Sequence, residues 1–117
     1  MRTRAETGNQ AEALVAAKLA SQGFAILGRN VRVGRLELDV IARRGSMIVV
    51  CEVRARSNAR IAEPVESIDR AKIARIRRAT AQWLTTAGLG GVSVRFDAAS
   101  VVFDRDPPRI EYYAEAF

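Results

Sequence analysis

The sequence predicts an α/β fold, a mixed sheet with helices packed on it. Three observations carry that expectation. Apolar residues recur at helical spacing in two stretches, about residues 9–22 and from residue 65 or 67 to residue 87. Two segments between them, "RLELDVIARR" and "MIVVCEVRAR", read as strands. Turn residues separate the elements: Gly45-Ser46, "GLGG" at 88–91 and Asp106-Pro107-Pro108.

In chain order, the first helix carries Leu14, Val15 and Leu19 on its apolar side and stops at Gly23. "FAILGRNVRV" reads as a first strand, bent near Gly28. In the second strand, strict alternation places Leu36, Leu38, Val40 and Ala42 on one face and Glu37, Asp39 and Ile41 on the other. Gly45-Ser46 then makes a hairpin with the third strand, where Ile48, Val50, Glu52, Arg54 and Arg56 share a face. "SNARIAEP" reads as a polar loop. Ile73, Ile76, Thr80, Trp83 and Ala87 trace the apolar side of the second helix. "VSVRFDAASVVF" and "RIEYYAEAF" supply the last strands, giving the order α-β-β-β-α-β-β.

At 117 residues the chain is expected to form one domain, 1–117, with a sizeable core. No apolar run approaches the roughly 18 to 20 residues that span a bilayer. The opening "MRTRAETGNQAEALV" lacks the apolar centre of a signal peptide, so the expected location is cytoplasmic with no membrane partner. The lone Cys51 lies in an apolar run and reads as a core residue.

Charge narrows the function. The formal net charge is +6, unevenly spread. Residues 29–60 hold eight Arg against three acids, while residues 97–117 hold five acids against two Arg. A basic body favours a polyanion partner, nucleic acid first. A soluble face in a chain that uses Arg almost everywhere, seventeen against two Lys, is the alternative. The chain has no histidine, which removes His-based triads, His general bases and His-containing zinc sites. A metal here must be held by oxygen, which points to Mg²⁺ or Mn²⁺.

The acids in "LELDVIARRGSMIVVCEVRAR" are the informative ones. Glu52 sits in a run apolar enough for an interior strand, where an unpartnered carboxylate costs several kcal/mol. A hairpin could bring Asp39 beside it, and two carboxylates repel unless a cation lies between them. A dication held by both would activate water and stabilise a phosphodiester under attack. Arg54, on the same face as Glu52, could contact that phosphate. The alternative is an ion pair with Arg43, Arg54 or Arg56. Glu37 reads as a further ligand or as a solvated strand residue. The basic helix, with Arg70, Lys72, Arg75 and Arg78, reads as a phosphate-backbone contact extended by Arg54, Arg56 and Arg60, or as a solvated face. Trp83 reads as core rather than as a base-stacking platform.

Asp39 followed by Glu52-Val53-Arg54 resembles the PD-(D/E)xK nuclease signature. Nearly the whole chain resembles the YraN family of bacterial endonuclease-like proteins, distant relatives of archaeal Holliday-junction resolvases. "AEALVAAKLASQGFAILGRN", "ELDVIARRGSMIVVCEVRARS", "AKIARIRRATAQWL", "VRFDAASVV" and "IEYYAEAF" match in order. The resemblance implies a restriction-endonuclease-like core of α-β-β-β-α-β order. It implies that Asp39 and Glu52 are metal ligands, that Glu12 is a supporting ligand or positions a water, and that Arg54 stands at the signature's Lys position. Ala11 and Leu36 stand where the family usually has Gly, and neither change removes a ligand. Arg54 stays charged at any working pH, so it cannot be a general base, yet it can neutralise phosphate charge bidentately.

The expected function is therefore a metal-dependent endonuclease acting on structured or branched DNA. A catalytically inactive nucleic-acid-binding module of the same fold is the alternative, and a protein-interaction scaffold a third reading. A symmetric homodimer would suit the cutting of both strands of a junction.

Overall fold

A computed structural model describes residues 3–57 and 68–117, without the side chains of Arg4 and Ala5. The expected loop after Ser57, Arg60 and the expected start of the second helix lie outside the described residues. Helix α1 spans Arg4–Ser21 and begins earlier than its apolar spacing predicts. The reason is a capping motif: the Glu6 N–H donates to the Thr3 side chain at 3.1 Å. Ala11, Val15, Ala16 and Leu19 form its buried stripe.

Strands β1 (Ala25–Val33), β2 (Leu36–Arg44) and β3 (Met47–Arg56) form an antiparallel meander closed by two-residue turns. Gly45, in the second turn, has a φ of 61° that favours glycine. The bend expected at Gly28 is a register shift between Ile26 and Gly28. Helix α2 spans Arg70–Ala87, capped by Asp69, whose side chain accepts from the Lys72 N–H at 2.8 Å. It ends on Gly88 in the left-handed region. Its inward stripe is Ile76, Ala79 and Thr80, with Trp83 and Leu84 packed beside the core. Ala87, expected on that stripe, is exposed.

The α2 crossover returns the chain as β4 (Ser93–Val102), parallel to β3, and β5 (Arg109–Tyr113) pairs antiparallel beyond it. The five-stranded mixed sheet runs β1-β2-β3-β4-β5, with α1 on one face and α2 on the other. This architecture is compatible with a restriction-endonuclease-like core. The α1 face buries Val40, Ala42, Val49, Cys51, Ala99 and Val101, and the α2 face buries Leu38, Ile41, Ile48, Val50 and Ile76. No helix among the described residues is long and apolar enough to cross a membrane.

Candidate functional site

The site begins where a ladder stops. The β2–β3 pairing runs from Arg44↔Met47 to Val40↔Cys51 and ends there. One residue further, the Asp39 carboxylate fills the opening: the Val53 N–H donates to Asp39 Oδ2 at 2.8 Å. A side-chain oxygen thus satisfies a backbone donor that an unbroken ladder would have paired with a carbonyl. The same interruption corrects the alternation expected for β2. Leu36 and Leu38 pack with Ile41 and Val50 on the α2 face, not with Val40 and Ala42 on the α1 face. Across from Asp39, between the pairs Arg29↔Val40 and Val31↔Leu38, Asn30 has a φ of 53°. Asn is one of the few residues that enter that region readily.

Glu52 lies on the facing strand and is 6% exposed. Its Oε2 is buried with no hydrogen-bond partner among the described residues, and its Oε1 lies 3.7 Å from Lys72 Nζ. Burial, then the charge of Asp39, pushes the Glu52 carboxyl up to about 7, while Lys72 and the Asp39 N–H pull the other way. Burial also raises the Asp39 carboxyl, opposed by the Val53 N–H and Lys72. Glu12, half-buried on α1, is raised by its own burial and by Asp39, with an Asn30 hydrogen bond opposing. At this fork between β2 and β3 the Asp39 charge thus acts on Glu52, which Lys72 of α2 approaches, and on Glu12 of α1.

The cation at this fork is Lys72, not Arg43, Arg54 or Arg56. Arg43 donates instead to the Gly45 carbonyl at 2.8 Å. Arg54 is exposed, forms no ion pair with either acid among the described residues, and only weakly opposes the upward shift of the Asp39 carboxyl. Arg56, expected on the nucleic-acid surface, is 5% exposed, and its Nε, Nη1 and Nη2 have no hydrogen-bond partner among the described residues. As a surface contact, that expectation is corrected. Lys72, expected among the backbone contacts, is on Glu52, while Arg70, Arg75 and Arg78 are exposed along α2 as expected. Arg60 lies outside the described residues. Glu37 is exposed and pairs with Arg32 at 3.7 Å, the solvated alternative. Cys51 and Trp83 take their core positions.

A hard dication suits the fork. The donors are carboxylate oxygens, and one of them, Glu52 Oε2, is buried without a partner among the described residues. Among the described residues no three acids gather closely enough to hold an ion, so Glu12 does not complete a cage. Two carboxylates with water at the remaining positions is a common way to hold Mg²⁺. Sequence reasoning missed Asn30 and the place of Lys72. The signal for Asn30 was a polar residue with left-handed tolerance inside a strand, just past a glycine bend. For Lys72 it was the single lysine in an arginine-rich helix.

Residues 11–101 match the family described as "Uncharacterised protein family UPF0102". Glu12, Asn30, Asp39, Glu52, Arg54 and Lys72 all fall within that span. The chain is 48% identical over 103 residues to a UPF0102 protein of Sorangium cellulosum, covering 86% of this chain and 72% of that one. It is 45% identical over 103 residues to a UPF0102 protein of Moorella thermoacetica, covering 88% and 86%. A UPF0102 protein of Frankia alni is 40% identical over 121 residues, covering 100% and 98%. The chain belongs to the UPF0102 family, the YraN-like family that its sequence resembles.

Proposed function

We propose that the protein is a Mg²⁺- or Mn²⁺-dependent endonuclease acting on structured or branched DNA. The observation that carries the reading is the pair of acids in the fork. Burial opposes the ionisation of both Asp39 and Glu52, the Asp39 charge adds to the effect on Glu52, and among the described residues Glu52 Oε2 has no hydrogen-bond partner. Such a pair is held ionised by a cation. When bound there, the dication supplies an activated water and neutralises charge on the phosphodiester.

The protein's own residues do the rest. The Val53 N–H orients the Asp39 carboxylate, which would serve as a ligand. Lys72 is held over Glu52 by charge, close enough to offer an ammonium to the phosphate. It supplies from α2 the cation that the signature places two residues after the second acid. Arg54, exposed at the lip of the fork, can bind a phosphate oxygen bidentately. Glu12, which bonds Asn30, would accept a hydrogen bond from a water on the α1 side. The exposed Arg70, Arg75 and Arg78 hold the substrate backbone. The activity belongs to a cytoplasmic protein, and a symmetric dimer would place two such forks on one junction.

Arg54 in the signature's Lys position favours a second reading, a nucleic-acid-binding module that has lost catalysis. One experiment separates them: duplex, nicked, flapped and four-way DNA incubated with Mg²⁺ or Mn²⁺ and wild type, Asp39→Ala or Glu52→Ala. Cleavage by wild type alone, with binding kept in both variants, supports the nuclease. Binding without a metal-dependent product on any substrate supports the module. Cleavage surviving both substitutions refutes the site.

A further inference from the structure

Beside the fork, along α2, lies a second feature. Val33, Arg35 and Leu36, at the β1–β2 turn, face Arg75, Arg78, Ala79 and Gln82 of α2 across an open groove of about 360 Å³. Its floor is apolar, and three guanidiniums rim it. Arg35, Arg75 and Arg78 are exposed, and none has an ion-pair partner among the described residues. Lys72, Arg75, Ala79 and Gln82 follow a 3-4-3 spacing and so share one stripe of the helix. At 1.5 Å per residue that stripe carries the groove from about 5 to about 15 Å beyond Lys72.

We infer that this groove seats an unpaired stretch of a DNA strand next to the bond held at the fork. The inference rests on the proposed nuclease reading and narrows its substrate to DNA with a single-stranded segment, such as a flap or an open junction. Charge complementarity selects a polyanion, since the three clustered cations have no acidic partner among the described residues. The floor selects an unpaired one. A duplex offers proteins its charged backbone at such a surface and keeps its base faces stacked inside. An unpaired nucleotide presents phosphate and an apolar base face together. The volume suits a small ligand such as a nucleotide and cannot admit the body of a duplex. An acidic peptide would satisfy the guanidiniums and leave the floor uncovered.

The test is binding without metal, so that it is independent of cleavage. Anisotropy of a labelled flap and of a blunt duplex of equal length is measured in EDTA across a salt series. Wild type is compared with Arg75→Ala/Arg78→Ala, with Arg35→Ala, and with the charge-matched control Arg44→Ala/Arg105→Ala. Arg75→Lys/Arg78→Lys tests charge alone, and circular dichroism checks that each variant folds.

Wild type is expected to bind the flap at least tenfold tighter than the duplex. The groove double variant is expected to lose most of that preference and to flatten the flap salt dependence by about 1.4, roughly 0.7 for each phosphate released. Arg35→Ala is expected to flatten it by about half as much, and the Lys pair to keep most of the slope. Equal affinity of wild type for flap and duplex overturns the inference, as does an equal loss in the groove and control variants. Loss of self-association in the groove variants with unchanged DNA binding also overturns it, in favour of an acidic segment of a second copy. A protein that binds flaps through the groove but yields no product with Mg²⁺ keeps this inference and refutes the nuclease.

Discussion

Glu52→Gln should make the metal-free protein more stable while destroying its site. The Glu52 carboxyl is moved from 4.5 to about 7, chiefly by burial and then by Asp39. A displacement of that size corresponds to on the order of 3 kcal/mol between the charged and neutral forms. The sign follows from proton binding. Because the folded state holds this proton more tightly than the unfolded chain, there is no penalty below about 4.5, and the full penalty is present above about 7. Stability of the metal-free protein therefore falls as pH rises through that window. Glutamine keeps the shape and removes the charge. Lys72, whose side chain is 35% exposed, returns to water at little cost. With about 4 °C per kcal/mol for a chain of this size, the variant should melt roughly 10 °C above wild type at pH 8 and nearly level with it at pH 4.5. Thermal unfolding followed by circular dichroism in EDTA reads both values. A variant that melts lower than wild type at pH 8, or a gain that is the same at both pH values, would refute the reasoning.

Two further expectations concern the frame around the fork. Asp97 is fully buried and accepts from Arg95 at 2.9 and 2.8 Å, from the Tyr112 hydroxyl and from the Glu115 N–H at 3.0 Å. Asp97→Ala strands these donors and should cost about 3–5 kcal/mol in urea unfolding, with Mn²⁺ binding kept because the partners of Asp97 are Arg95, Tyr112 and the Glu115 N–H, not Asp39 or Glu52. Gly28→Ala would set a Cβ 2.5 Å from Val31 Cγ2, and a branched side chain cannot easily withdraw. A loss of about 1–3 kcal/mol is expected by the same assay, and an unchanged midpoint would show that the bend does not need glycine.

The fold was legible because its signals are local. The hairpin at Gly45-Ser46, the bend at Gly28, the stop at Gly88 and the apolar α2 stripe through Ile76 are each set by residues near in sequence. Helix α1 begins before its apolar stripe because the Thr3 cap lies outside the apolar periodicity. At the site, Asp39 and Glu52 were legible as carboxylates in apolar strands. Strict alternation misplaced Leu36 and Leu38 because the ladder breaks at Asp39, and a two-residue period has no term for a broken ladder. The approach of Lys72 to Glu52 was not legible, since it depends on where α2 crosses the sheet, and the alternation that put Arg56 on the face of Glu52 does not say how buried that face is. Asn30 stayed hidden for a related reason: its partner Glu12 comes from another element.

The most direct measurement is Mn²⁺ binding followed by electron paramagnetic resonance, without DNA, at pH 8. Wild type, Asp39→Asn and Glu52→Gln are compared. A single saturable site in wild type, absent from both variants, is the expected result. Undiminished binding in either variant would mean that those two side chains do not jointly hold an ion, and the function built on them would fall.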